Sequence, residues 1–281
     1  MIPSSLVGVM LAVASALVWG SGDFAGGLAA RKLSPYQVTA AAALSGLLSL
    51  GLFMLLRGEV WPDSMGALWS AAAGLAGAVG IACLYRALSG GNQAIAASVS
   101  GVVGAAIPVL FDAVVEGLPP PLKLAGFGLG IVAIALVSQS APSSTGSRWL
   151  AVLLGAAAGT GFGMFFVLIS NVKGALVFSP LVIARGSMLL ASTLLMLSKR
   201  QTFPNVVQHP VSILAGVLDA GGNMLFLLAR QFTRLDVASV LSSLYPASTI
   251  LLARLILHEP MRNIQLIGIV LCLMAIGLIV A

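Results

Sequence analysis

Long apolar stretches alternate along the chain with short polar segments. A hydrocarbon core about 30 Å thick requires roughly 20 helical residues, and charges, prolines and turn residues divide the chain into about ten stretches of that length. The predicted spans are Ser5–Leu28, Pro35–Leu56, Met65–Leu88, Gln93–Val115, Leu122–Gln139, Trp149–Ile169, Ser179–Ser198, Pro210–Arg230, Asp236–Leu257 and Gln265–Ala281. The pattern therefore predicts an all-α integral membrane protein.

The second half of the chain repeats the first at a nearly constant offset. Gly74 and Gly80 recur as Gly216 and Gly222, each 142 residues later (216 − 74 = 142). The offset drifts by a few residues elsewhere, which small changes in loop length can absorb. Internal repeats of this size in a membrane chain are typical of secondary transporters.

The number of spans in each half predicts how the halves are related. Five spans per half is an odd number, so the second half must enter the membrane upside down relative to the first. The most polar run of the chain, residues 140–147, separates them. We therefore predict two inverted five-helix repeats, at residues 1–140 and 149–281, joined by a linker at residues 141–148.

Composition supports the membrane assignment and excludes several functions. The chain is 59% hydrophobic and 8% charged, whereas soluble domains carry roughly 25% charged residues. The net charge of +6 comes from basic residues scattered at span ends, which favours lipid headgroups over nucleic acid as their partner. Cys83 and Cys272 lie in apolar spans without metal-ligand neighbours, so no disulfide, metal site or cofactor is predicted. The first span lacks a preceding basic segment and is expected to be a retained helix.

Several short motifs carry a family resemblance. They are Trp19-Gly20-Ser21, Arg185 after Ser179-Pro180, Pro246, Leu257-His258-Glu259 and Gly268. With the halves aligned, the chain resembles the EamA-like families of the drug/metabolite transporter superfamily, whose members carry two homologous five-helix halves. The resemblance implies a permease or exporter of small metabolites, amino acids or drug-like compounds in a cell membrane, with the bacterial plasma membrane expected.

A few polar residues occur in only one of the two halves. An ionisable group in the bilayer costs about 2.5 to 3.5 kcal/mol on insertion scales, so it requires a partner or a water-filled cavity. The aligned positions are apolar: Asp23 aligns with Leu168, Arg185 with Ala40, Asp219 with Gly77 and Asn223 with Ile81. Because the shared fold does not need this polarity, we infer that these side chains serve function or pair with one another.

Two hypotheses assign roles to the charged residues. Arg185 is predicted to bind an anionic group of the substrate, since a guanidinium holds a carboxylate bidentately; the alternative is an ion pair with Asp23 or Asp219. Asp219 and Asp23 are candidates for binding a coupling proton. The alternative for Asp23 is contact with headgroup water or with Arg31.

The remaining candidates are polar, aromatic or helix-breaking. Asn223 follows Asp219 by four residues on the same helical face, so it is predicted to bind substrate or to form an interhelical hydrogen bond. Trp19 and Tyr245 either stack on a substrate or pack in the protein. Pro108 and Pro246 remove a backbone hydrogen bond near the middle of the fourth and ninth spans, which predicts kinks with a polar or a purely packing role.

The Gly155, Gly159 and Gly163 stripe permits close helix packing, either inside the monomer or as a sliding or dimerising face. Together these features predict a secondary-active transporter working by alternating access as a monomer or homodimer. Its partners would be a small-molecule substrate, the bilayer and a coupling proton. The alternatives are a facilitative exchanger or a lipid scramblase. An enzyme is disfavoured because the acids are dispersed and His209 and His258 sit alone at span ends.

Overall fold

The computed structural model describes residues 3–88, 93–137, 139, 148–205, 208–258 and 262–280. Within these ranges the chain is helical and has no strand. The helices are α1 Ser4–Ala30, α2 Pro35–Arg57, α3 Ser64–Leu88, α4 Gln93–Val115, α5 Pro121–Val137, α6 Arg148–Ser170, α7 Phe178–Ser198, α8 Pro210–Arg230, α9 Leu235–Ser242, α10 Tyr245–Ile256 and α11 Asn263–Val280. Residues 141–147 of the predicted linker, and Glu259, lie outside the described residues.

The helices confirm the predicted fold class. In the described part of the chain, seven helical stretches are long and apolar enough to cross a membrane, and three shorter apolar helices accompany them. Together they form ten spans, because α9 and α10 make up the ninth. The protein is therefore an all-α membrane protein of two inverted five-helix repeats, α1–α5 and α6–α11.

The ninth span is two helices, where the sequence predicted one continuous helix over Asp236–Leu257. Helix α9 ends at Ser242 and α10 begins at Tyr245. A proline ring clashes with the carbonyl four residues before it and supplies no N–H, and Ser242 stands four residues before Pro246. The predicted kink is therefore a full break, whereas Pro108 lies inside the continuous helix α4.

Helix packing follows the pseudo-symmetry of the repeats. Helix α1 packs mainly against α8, as α6 packs against α3, while α2 pairs with α7 and α5 pairs with α11. In the α4–α6 contact, a Cβ atom on Gly159 would come within 2.6 Å of the Ser100 carbonyl oxygen, and one on Gly163 within 2.7 Å of Ile107. These glycines of the predicted stripe therefore pack inside the chain.

Two helix crossings in the middle of the bundle are duplicates of each other. The Ser45 hydroxyl of α2 donates to the Ile213 carbonyl of α8 at 3.1 Å. The Ser187 hydroxyl of α7 donates to the Ala71 carbonyl of α3 at 3.0 Å. Both donor and acceptor are displaced by the same number of residues (187 − 45 = 142; 213 − 71 = 142). The two repeats therefore share this helix crossing and its hydrogen bond.

These crossings correct one detail of the repeat alignment. With an offset of 142 residues, Arg185 corresponds to Ala43 of the first repeat (185 − 43 = 142), and not to Ala40 as the loop motifs predicted. The longer offset at the start of α2 and α7 is confined to the helix ends. Ala43 is fully buried, so Arg185 still has no polar counterpart in the first repeat.

The alternation of helix directions defines two faces. We call the face where α5 ends and α6 begins the linker face, and the face where α1 begins and α11 ends the terminal face. Each of the two faces contains one end of α2, of α4, of α7 and of the α9–α10 pair. The cavity and the ion cluster described below lie toward opposite faces.

Candidate functional site

A central cavity of about 150 Å³ lies between the two repeats. Every span except the fifth of each repeat contributes to its described lining. The six residues predicted to bind substrate or a coupling ion all line it: Trp19, Asp23, Arg185, Asp219, Asn223 and Tyr245. The structure therefore brings these six side chains together, while their roles stay predictions.

The cavity extends from the middle of the bundle toward the linker face. Its first-repeat lining includes the end of α1 around Gly26, the beginning of α2 around Val38 and the end of α3 around Leu84. All three segments lie near the linker face. The cavity is not enclosed, and Asp23, near the linker-face end of α1, is the most exposed of the charged residues in its described lining.

An ion pair crosses one wall of the cavity. Arg185 on α7 is 4% exposed and pairs through its Nη2 atom with the Asp219 carboxylate on α8. Its Nη1 atom contacts the Met188 sulfur at 3.6 Å. The Asp219 side chain is 33% exposed, so it is the solvent-facing member of the pair. Pairing with Asp219 is one of the two alternatives that the sequence left open for Arg185.

The Asp219 backbone carbonyl accepts hydrogen bonds from two side chains. The Asn223 amide donates to it at 2.7 Å within α8, and the Trp19 indole N–H donates to it at 3.1 Å from α1. Asn223 therefore forms an intrahelical bond and not the interhelical bond considered from the sequence. Both side chains are fixed in position at the same level of the cavity as the ion pair.

Aromatic rings form the inner end of the cavity. The Trp19 ring lies 5.5 Å from the Phe166 ring, and Phe166 lies 4.6 Å from Phe226 and 6.0 Å from Phe165, centroid to centroid. Trp19 therefore both packs against other aromatic rings and lines the cavity. The phenylalanines of α6 were not predicted as cavity residues from the sequence. The spacing of Phe162, Phe165 and Phe166 places them on one helical face, which could have indicated this role.

The break in the ninth span places Tyr245 at the cavity wall, and hydroxyl groups on both sides of the break hold α1. Ser242 donates to the Ala12 carbonyl at 3.3 Å, and Ser248 donates to the Ala16 carbonyl at 3.0 Å. Thr249 continues the series with a 3.1 Å bond to the next turn of α1. These bonds fix the position of the break relative to Trp19.

A group of charged residues joins helix ends at the opposite, terminal face. We call it the terminal ion cluster: Asp112, Glu116, Arg230, Arg234 and Asp236. Arg234 lies 3.1 Å from Asp236, 3.5 Å from Asp112 and 3.8 Å from Glu116, and Arg230 lies 4.0 Å from Glu116. The cluster therefore joins the end of α4 in the first repeat to the beginning of α9 in the second.

Backbone contacts reinforce the cluster. Arg234 donates to the Gly117 carbonyl at 2.8 Å, and the Asp236 N–H donates to the Asp112 carboxylate at 3.0 Å. Asp112 is 2% exposed and Asp236 is fully buried. Burial lowers the pKa of Arg234, but its hydrogen bond to Asp236 and the nearby carboxylates raise it more, so the net pKa lies above the ordinary value. Arg234 is therefore charged throughout the physiological range.

The sequence does not repeat the set of residues that makes this cluster. At the 142-residue offset, Arg234 corresponds to Asn92 (234 − 92 = 142) and Asp236 to Ala94. Sequence analysis did not single out Asp112 or Asp236. The rule that drew attention to Asp219, an acid within an apolar span that lacks a polar counterpart, would also have found Asp236.

Each face also has a hydrogen-bonded contact between α2 and α7. At the terminal face, the Glu59 carboxylate accepts bonds from the Ser179 N–H at 2.7 Å and from the Val177 N–H at 3.1 Å. At the linker face, the Ser34 hydroxyl donates to the Gln201 side chain. The terminal contact involves a formal charge, and the linker contact is neutral.

Comparison with known proteins agrees with this architecture. Residues 6–139 and residues 149–281 each match the EamA-like transporter family. A solved structure titled "Crystal structure of protein" matches 98% of this chain and 95% of its own chain, with 18% sequence identity and a TM-score of 0.75. That likeness shows the fold alone. No protein in a search of curated sequences matches.

Proposed function

The chain belongs to the EamA-like transporter family of the drug/metabolite transporter superfamily, and from that premise we propose that it is a secondary-active transporter working by alternating access. The central cavity is the transport site. The observation that supports this proposal is a cavity lined by both inverted repeats that extends toward the linker face, while the terminal ion cluster joins the repeats at the opposite face. A site accessible from one side at a time is the requirement of alternating access.

Inverted repeats supply the second state. If the two halves exchange conformations, the cavity opens to the terminal face and closes at the linker face. For this exchange the contacts of Arg234 with Asp112 and Glu116 must separate, because they join the two repeats at the closed face. The duplicated crossings at the centre of the bundle provide the same pivot for both states.

We assign the cavity residues as follows. Trp19, Tyr245 and Asn223 contact the substrate, and Arg185 holds the Asp219 carboxylate in place. Asp219 and Asp23 are the groups that bind a coupling proton, since both are partly exposed to the cavity and water can therefore deliver a proton to them. Among the described lining residues, the charged and ionisable groups around them are each other, Arg185 and Tyr245.

The described lining of the cavity comes from one chain, and we propose that a monomer is sufficient for transport. A homodimer would be an assembly of two independent pathways. We place the protein in a cell membrane, with the bacterial plasma membrane as the proposed compartment.

Counterflow across proteoliposomes tests the proposal. A stability screen of the purified protein with amino acids, nucleobases, sugars and amines supplies the compound, because a ligand of the folded state raises its stability. We expect saturable counterflow, which a channel does not show. Gly77→Trp should reduce it at least tenfold by filling the cavity, since Gly77 lines it next to Phe165.

Gly128→Trp is the matched control, because Gly128 is exposed on α5 with open space around its Cα atom. Equal counterflow in both variants would contradict the cavity assignment. Rapid movement of labelled lipid between leaflets, without counterflow, would indicate a scramblase.

A proton-conducting uncoupler tests the coupling. It should abolish accumulation against a gradient in the wild type. Asp219→Asn should leave exchange without accumulation, and Asp23→Asn should also lose accumulation. Accumulation that survives the uncoupler would indicate a facilitative exchanger or another driving ion.

A further inference from the structure

Resting on the transport function proposed above, we propose that the cavity selects positively charged amines that carry an apolar, aromatic body. The class follows from the charges and rings of the cavity wall. It differs from the anionic substrate predicted from Arg185 alone.

Acidic side chains outnumber basic ones in the described lining of the cavity. Of the described residues, three charged side chains line it: Asp23, Arg185 and Asp219. Arg185 and Asp219 form an ion pair and cancel each other. Asp23 remains as the acid in excess of the bases in the described lining, and its side chain is exposed. A cation beside Asp23 would stabilise its carboxylate and leave the site neutral, whereas an anion would add a charge that the described lining does not balance.

Arg185 is poorly placed to bind an anion. Its side chain is 5% exposed, and its guanidinium contacts Asp219 and Met188. An anionic substrate would have to displace Asp219, which would leave a carboxylate at the cavity wall without its partner. Arg185 is therefore a positioning residue that fixes Asp219, and through the Asp219 carbonyl it supports Trp19 and Asn223.

Other sources of positive potential do not reverse this balance. The end of α9 and the beginning of α10 meet at Ser243 and Tyr245, so the partial negative charge of one helix end opposes the partial positive charge of the other. Basic residues such as Arg31 lie at the linker face, outside the described cavity lining. Exposed charges there are screened over about 8 Å at physiological ionic strength.

The aromatic rings explain the apolar part of the ligand. Trp19, Phe162, Phe165 and Tyr245 line the cavity and are half-buried. The faces of such rings attract an organic cation within about 6 Å and stack with a flat apolar body. The Trp19 ring is fixed in orientation by its hydrogen bond to the Asp219 carbonyl. An ammonium group beside Asp23 would thus place the rest of the ligand against these rings.

Three probes with one aromatic body test the class: 2-(1-naphthyl)ethylamine, 1-naphthylacetate and 2-(1-naphthyl)ethanol. Their dissociation constants are measured with the purified full-length protein, and each is then tested in proteoliposome counterflow. We expect the amine to bind at least tenfold more tightly than the other two. Asp23→Asn should remove most of that preference, and Asp23→Glu should restore it.

Asp63→Asn is the matched control, because Asp63 lies outside the cavity and asparagine keeps the oxygen that accepts the Gly66 N–H. The control should retain the full preference for the amine. Equal or tighter binding of the acid or the alcohol, unchanged amine binding in Asp23→Asn, or no binding of any probe would overturn the proposed class. Amine binding that depends on Asp23 without counterflow would support the class and contradict the transport function.

Discussion

The terminal face and the linker face are built from repeated helices, but different chemistry holds them. The terminal face is joined across the repeats by the terminal ion cluster and by the Glu59 carboxylate. At the linker face, the contact of Ser34 with Gln201 is neutral, and the cavity opens between the repeats. In the middle, the crossings made by Ser45 and Ser187 are the same.

The difference between the two faces indicates which contacts set the resting state of the protein. Two identical inverted repeats would make the two orientations of the cavity equal in free energy. The shared centre keeps that equality, and the charged contacts at one face remove it. We therefore expect substitutions at the terminal face to change the balance between the two states, and substitutions at the central crossings to change stability alone.

The largest effect is expected from Arg234→Gln. Removing the guanidinium leaves Asp112 and Asp236 buried next to each other, and breaking a buried pair costs about 3 to 5 kcal/mol. The free energy of unfolding should fall by about that amount, and the amide hydrogens of α9 should exchange faster as the terminal face opens. Lys173→Gln, on an exposed loop of the same face, is the control. Unchanged exchange in α9 would show that the cluster does not hold this face closed.

A smaller effect is expected at the Arg185–Asp219 pair, at the inner end of the cavity. Arg185→Gln and Asp219→Asn should each lower the free energy of unfolding by about 1 to 3 kcal/mol, because each leaves a partner without its counter-charge. The double variant should lose less than the sum of the two. Additive losses would mean that the pair contributes no coupling energy.

The contacts between α2 and α7 allow the stability of the two faces to be compared directly. Glu59→Gln removes a charged acceptor of two backbone N–H groups and should cost about 1 to 2 kcal/mol. Gln201→Ala, at the linker face, removes one neutral bond and should cost about 0.5 to 1 kcal/mol. Unfolding free energies of both variants, measured in the same detergent, test the order. A larger loss for Gln201→Ala would reverse the comparison.

The smallest effects are expected at the central crossings. Ser45→Ala and Ser187→Ala each remove one interhelical hydroxyl bond, worth about 0.6 kcal/mol in membrane helices. Because the crossings are duplicates, the two losses should be equal, and neither variant should change exchange in α9. Unequal losses would show that the symmetry of the contacts does not extend to their energies.

Most of the fold could be predicted because membrane thickness and backbone hydrogen bonding leave few choices for an apolar chain. The predicted eighth span, Pro210–Arg230, agrees with α8 at both ends. The break in the ninth span was missed, because the sequence shows Pro246 but not whether its helix bends or stops. Tertiary contacts decide that: the Ser242 and Ser248 hydroxyls hold the two pieces against α1.

Residues of the candidate site could be predicted where the sequences of the two repeats differ. They could not be predicted where the site depends on which helices contact each other in the folded protein. Asp23, Arg185 and Asp219 were found because their counterparts are apolar. Sequence could not choose between Asp23 and Asp219 as the partner of Arg185, since that choice depends on which helices face each other. The terminal ion cluster was missed because its members come from three helix ends that the fold brings together.

The ninth span has a consequence for how the protein is made. Among the seven long spans in the described residues, Leu235–Ile256 is the least hydrophobic and the most buried. Every residue of α9 is buried, and its Ser242 hydroxyl bonds to α1. Lipid alone offers this segment little stabilisation, whereas the preceding helices offer hydrogen bonds and a fitted surface. We therefore expect the insertion of this segment during synthesis to depend on the spans that are already in the membrane. The order in which the spans are translated would then help to determine whether the ninth span inserts.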